Sequence, residues 1–208
     1  IVFIDIETIR FSINMNNFGS IPPKAIIVTN LFGHPAYLRT MRSWCDSNSV
    51  IMIEDNAQSP FAKEGDSYAG TIGHIGVFSL NVHKHLQAGE GGVIVTNDDA
   101  LADRLRGAIN HGELGETRQT GLNLRMVEAV AAIASAQLKK APVIIPGRVS
   151  LANEIADMFD LPWRIIPQRP DIDCVHVYYI LALRVLKDRD SLYEKLASRN
   201  FPIRKGYS

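Results

Sequence analysis

The chain has 208 residues, 46% hydrophobic and 21% charged, with 22 Lys plus Arg against 22 Asp plus Glu. These values exclude a disordered or collagen-like polypeptide. The zero formal charge argues against a nucleic-acid or anionic-membrane partner, which needs a basic surface.

The chain opens on the apolar run Ile1–Ile6, without an initiating Met. It reads as a strand in the middle of a domain and implies a sequence incomplete at its N terminus. The β-branched run Ala25–Thr29 (A-I-I-V-T) reads as a buried strand. Pro35 suits the first turn of a helix over roughly 36–48. Val50–Ile53 (V-I-M-I) reads as the next buried strand, and strand, helix and strand at this spacing predict a right-handed crossover with parallel pairing. Residues 59–75 are polar and glycine-bearing, an irregular excursion. Gly76–Leu80 and Gly91–Thr96 are two further strands flanking the polar stretch 81–90. Asn97 and Asp98 are good caps for a helix over roughly 99–110. Gly121–Lys140 is alanine-rich, with Met126, Val130, Ile133 and Leu138 at helical spacing. Pro142 and Pro146-Gly147 are expected to interrupt that helix. Beyond them come a helix over Val149–Phe159, a Pro-containing stretch 162–170, a long strand Cys174–Val185 and a helix over Ser191–Arg199. The division is placed near residue 142, giving domains 1–141 and 142–208.

Two cysteines, Cys45 and Cys174, lie far apart in no C-x-x-C pattern and read as reduced thiols of a cytoplasmic protein. No apolar run reaches the length of a membrane span, and no secretion leader opens the chain.

In open α/β sheets, ligands collect beyond the carboxyl ends of strands. Asp55 follows V-I-M-I-E directly, Ser79 closes G-V-F-S, and Lys84 stands between that strand and the turn Gly89-Glu90-Gly91-Gly92. A lysine taken alone is a surface charge. Held at a sheet edge and partly desolvated, it is a nucleophile for an aldehyde carbon. A carboxylate such as Asp55 can keep a pyridinium ring protonated and so electron-withdrawing. Gln58 could reach a ring hydroxyl, and Ser79 could donate to a phosphate. His83 and His85 flank Lys84, but no carboxylate or cysteine cluster completes a metal set, so no metal is expected. His111 reads as a helix-end residue. His176 and Tyr178 could approach a substrate, with core packing the better reading.

The ordered stretches 26–36 (I-I-V-T-N-L-F-G-H-P-A), 50–59 (V-I-M-I-E-D-N-A-Q-S), 73–98, 110–112 (N-H-G), 121–126 (G-L-N-L-R-M) and 131–140 resemble the DegT/DnrJ/EryC1/StrS family of sugar aminotransferases. The resemblance implies an α/β fold of type I, with a central, mostly parallel sheet flanked by helices. It also implies part of a small α+β C-terminal domain. The cofactor would be pyridoxal 5′-phosphate (PLP). By the same resemblance Lys84 is the catalytic, Schiff-base lysine, Asp55 the partner of the pyridine nitrogen and Gln58 the contact on the ring-hydroxyl side. Ser79 is then a phosphate ligand, and Asn123 the residue lent to the phosphate of a partner subunit in a homodimer with shared active sites. The implied reaction moves an amino group, usually from glutamate, to a keto sugar linked to a nucleotide, in amino-sugar or surface-polysaccharide biosynthesis. The alternatives are a sugar 3-dehydratase of the same family, which places His at the lysine position, and a non-catalytic regulatory relative. The family's N-terminal segment, which supplies a phosphate cup and a ring-stacking aromatic residue, is expected to be missing.

Overall fold

The computed structural model describes residues 1–8, 11–113, 120–159, 161 and 165–206. Pro162 of the predicted Pro-containing stretch and the terminal Tyr207 and Ser208 lie outside them. The central sheet holds β1 (Ala25–Thr29), β2 (Ile51–Asp55), β5 (Ile75–Ser79) and β6 (Gly92–Val95) in the order β1-β2-β5-β6. The first two pairings are parallel and the last, β5 with β6, is antiparallel. A small antiparallel sheet combines β3 (Lys63–Glu64), β4 (Ser67–Tyr68) and β8 (Cys174–Val175), so the excursion read as irregular contains a short hairpin. Antiparallel β7 (Ile165–Pro167) and β9 (Leu183–Val185) form a third sheet.

Helix α1 (Leu38–Ser47) buries Leu38, Met41 and Cys45 against the sheet face carrying Ile26, Val28 and Met52. The spacing of three and four residues puts the three helix residues on one stripe. Pro35 is not in its first turn. The helix starts after Tyr37, which is left-handed (φ 51°), and its free N–H groups find a distant cap, with Leu38 N donating to Glu64 Oε2 of β3 at 2.6 Å. Helix α2 (Asp99–Ile109) is capped locally, Leu101 N donating to Asp98 Oδ1 at 2.9 Å. Helix α4 (Arg189–Ala197) closes the described chain.

Four expectations are corrected. The prolines do not stop the long helix: α3 runs Glu128–Phe159 through Pro142 and Pro146 and starts seven residues later than Gly121. Each proline removes one helical N–H, but Ala141 and Ile145 are buried in the core cluster, and tertiary packing holds a helix through such losses. The predicted division near 142 therefore falls inside a continuous helix. Second, Cys174–Val185 is not one strand. Val177 N donates to Gly33 O at 2.9 Å, Ile180 N to Phe32 O at 3.3 Å, and left-handed Tyr178 (φ 47°) breaks the extended run between β8 and β9. Third, Ile1–Ile6 forms no strand beyond a single bridge, Ile6 to Ile13, and Ile1, Val2 and Phe3 are exposed. Fourth, β1 and β2 are buried on one face only. Ile27 is 65% exposed and Ile51 42%, because nothing among the described residues covers that side of the sheet.

Candidate active site

Register decides which groups share a face. Asp55 pairs with Val77, and Ser79 lies two residues beyond Val77 on the same strand. Side chains alternate along a strand, and register partners project to the same side, so Asp55, Val77 and Ser79 share one face at the carboxyl ends of β2 and β5. Glu54, one residue earlier, projects to the opposite face.

The two neighbouring acids therefore have different surroundings. Glu54 is fully buried and accepts from Gly70 N at 2.6 Å, Ile72 N at 2.8 Å, Gly73 N, and Asn30 Nδ2 at 3.5 Å. Asn30 extends the network, its Nδ2 donating to Asn56 Oδ1 at 2.7 Å and its Oδ1 accepting from Ala36 N at 2.8 Å. Asp55 is half-buried; Oδ1 accepts from Ala57 N at 3.0 Å, and its other oxygen has no hydrogen bond among the described residues. Ser79 is half-buried, and its hydroxyl accepts from Asn81 N at 3.3 Å. Gln58 turns back to the short turn after β1, its Oε1 accepting from Phe32 N at 2.8 Å.

Lys84 sits in a fastened loop. Lys84 N donates to Asn81 O at 2.9 Å and Asn81 Nδ2 to Glu90 Oε1 at 2.8 Å. Leu80 N to Gly91 O and Val82 N to Gly89 O tie the loop's two arms together. The amine is half-buried and lies 4.8 Å from the ring centroid of Tyr179. His83 is exposed. His85 is buried, and its Nε2 donates to Val177 O at 2.9 Å. Burial pushes the His85 imidazole down to about 4, against the raising effect of that hydrogen bond, and Arg148 and Lys84 lower it further. His176, also buried, is pushed down to about 3 by desolvation first and by His34 second. Both rings are thus neutral near pH 7. His176 and Tyr178 stack at 3.9 Å in the interior, as core residues.

Asn123 lies on the segment before α3. It is exposed, bridged to Asn110, and its Oδ1 accepts from Arg125 Nε at 3.0 Å; Arg125 Nη2 reaches His111 Nε2 at 3.2 Å. The residues that sequence reasoning left without a role are Glu54, Asn30, Arg148 and Tyr179. For Glu54 a signal existed, since a carboxyl one place off the Asp55 face must point into the core.

The donor set suits PLP: a half-buried lysine, a carboxylate with one oxygen not hydrogen-bonded among the described residues, and a serine hydroxyl, at or just beyond the ends of adjacent strands. The chain has the α/β fold of solved aminotransferases and of a related PLP-bound enzyme, which superpose on it. The sequence model of the DegT/DnrJ/EryC1/StrS aminotransferase family matches residues 1–208, and the chain belongs to that family. It is 34% identical over 185 residues to a GDP-perosamine synthase of Escherichia coli O157:H7, covering 85% of this chain and 50% of that protein. An aminotransferase from Psychrobacter cryohalolentis has a TM-score of 0.89 at 25% identity, covering 96% of this chain and 59% of that one. An E. coli GDP-4-keto-6-deoxy-D-mannose-3-dehydratase with bound hydrated PLP has a TM-score of 0.85 at 26% identity, covering 95% and 57%. The chain spans about half the length of the curated relatives it matches.

Proposed function

We propose that the protein is a PLP-dependent aminotransferase that moves an amino group from glutamate to a nucleotide-linked keto sugar. The observation that carries this reading is the half-buried lysine five residues beyond Ser79, with Ser79 and Asp55 on one face of adjacent strand ends. When bound, PLP supplies an electron sink that stabilises negative charge on the carbon losing a proton. Lys84 Nζ would hold the cofactor and, as general acid–base, would take the proton from the donor's carbon and return it. Asp55, through its unengaged carboxyl oxygen, would hold the ring nitrogen's proton. Ser79 would donate its hydroxyl to the phosphate, Gln58 would orient the ring edge, and Asn123 would serve the phosphate of a partner subunit in a homodimer. In this reading residues 1–141 belong to the cofactor-binding domain and 142–208 to part of the small domain, with α3 running across the division.

The 3-dehydratase alternative would use His where Lys84 stands. Here His85 is buried and spends its Nε2 proton on Val177 O, and His83 is an exposed loop residue, which favours transfer. Cys45 and Cys174 are not joined in a disulfide, and no helix among the described residues is long and apolar enough to cross a membrane; a cytoplasmic setting fits both facts. The test is incubation of the full-length gene product with PLP, glutamate and a panel of nucleotide-linked keto sugars. Formation of an amino sugar with stoichiometric 2-oxoglutarate is expected, and loss of a sugar hydroxyl instead would replace this reading with the dehydratase.

A further inference from the structure

Two segments meet at Lys84, and they meet at fixed points. From one side comes the loop carrying Lys84 and His85; from the other comes the irregular run His176–Ile180 between β8 and β9. His85 Nε2 donates to Val177 O at 2.9 Å, and the His85 and Tyr179 rings lie 5.8 Å apart, centroid to centroid. Arg148 of α3 clamps the same run, Nε donating to Tyr178 O at 2.7 Å and Nη2 to Tyr179 O at 3.0 Å. Ile180 N donates to Phe32 O at 3.3 Å, and at Gly33 a Cβ would stand 2.7 Å from Tyr178 N, so the run is seated against the turn that follows β1. Tyr179 belongs to no strand pair; these clamps hold it. Its ring then presents a face to Lys84 Nζ at 4.8 Å, inside the range at which a cation is drawn to the negative face of an aromatic ring.

We propose that Tyr179 is a positioning residue: its ring is the seat of the Lys84 amine whenever that lysine is not attached to cofactor. The importance of the seat rests on the proposed role of Lys84, but the contact itself does not. A lysine side chain has four rotatable bonds and a large rotamer entropy. An amine that must be released and then reused in each half of a transfer reaction gains from a resting place close to the strand ends. The ring supplies that place through its π face and not through its hydroxyl. The tie from His85 to Val177 keeps loop and ring in step, so the seat travels with the lysine.

The experiment uses the full-length protein free of cofactor. Lys84 is labelled at a fixed neutral pH with a limiting amine-selective acylating reagent, and the rate is read by peptide mass spectrometry. Lys63, which lies 4.4 Å over the Tyr68 ring, is the internal standard. Tyr179→Phe keeps the face and is expected to leave the rate unchanged. Tyr179→Leu removes it and is expected to speed Lys84 labelling about two- to five-fold, the range that a partly exposed cation–π contact supports. Phenylalanines bearing successive ring fluorines at position 179 keep the shape while draining charge from the face, and the rate is expected to climb with each fluorine. A flat fluorine series overturns the proposal, as does an acceleration in Tyr179→Phe equal to that in Tyr179→Leu. The shape-conserving series keeps the test decisive even where the leucine variant folds poorly. Failure of the PLP reading would leave all these rates untouched, so the two failures are distinguishable.

Discussion

Glu54 and Asp55 are adjacent acids on opposite faces of the sheet, and replacing each by its amide separates them. In Glu54→Gln one carboxyl oxygen becomes an NH2 group, which cannot accept. In one amide orientation Ile72 N and Gly73 N lose their acceptor; in the other Gly70 N and the longer Asn30 contact do. A buried donor left unpaired costs about 1–3 kcal/mol, so two of them, one partly exposed or long, come to about 2–4 kcal/mol. That is a large share of the roughly 5–15 kcal/mol that holds a domain folded. Asp55→Asn keeps the oxygen that accepts from Ala57 N, and the residue is half exposed, so its stability cost is expected to stay near about 0.5 kcal/mol. Urea unfolding of the purified protein followed by circular dichroism measures both. The ordering also reverses for chemistry: Asp55→Asn should lose most of the turnover while remaining folded. A Glu54→Gln midpoint indistinguishable from wild type, or an Asp55→Asn variant as unstable as Glu54→Gln, would refute the assignment of faces.

Acid should weaken the fold already between pH 7 and pH 5. His85 and His176 are neutral when folded, with values near 4 and 3, against about 6.5 in an unfolded chain. The unfolded state therefore binds more protons below about pH 6.5, and stability is full above that value and falls as pH drops toward the folded values. Between pH 7 and pH 5 each ring should cost about 2 kcal/mol, and His85→Gln or His176→Gln should flatten the urea-midpoint profile over that window. Gly33→Ala puts a methyl group 2.7 and 2.8 Å from the nitrogens of Tyr178 and Tyr179 at φ +106°, and a melting-temperature loss equivalent to more than about 1 kcal/mol is expected. Glu64→Ala removes the distant cap of α1, and a loss of about 1 kcal/mol should appear in the same assay.

What could be read from sequence follows from the range of each interaction. Local patterns placed β1, β2, β5, β6, α1 and α2 within a residue or two, because alternation, turn residues and the Asp98 cap are short-range devices. Lys84, Asp55 and Ser79 were legible as strand-end groups for the same reason. The misses are all long-range. Pro142 and Pro146 stay helical because Ala141 and Ile145 pack into a core built from distant segments. Glu64 caps a helix 26 residues earlier, and Tyr179 reaches Lys84 through clamps from Arg148 and the turn after β1. The exposed face of Ile27 and Ile51 was equally hidden, since an apolar run does not say which side is covered.

The proposed chemistry turns on Lys84 carrying the cofactor. The most direct measurement is borohydride reduction of the full-length protein with PLP, followed by peptide mapping. A stable pyridoxyl adduct on the peptide containing Lys84, absent from Lys84→Ala, is the predicted result. An adduct on another lysine, or the same adduct yield in Lys84→Ala, would contradict it.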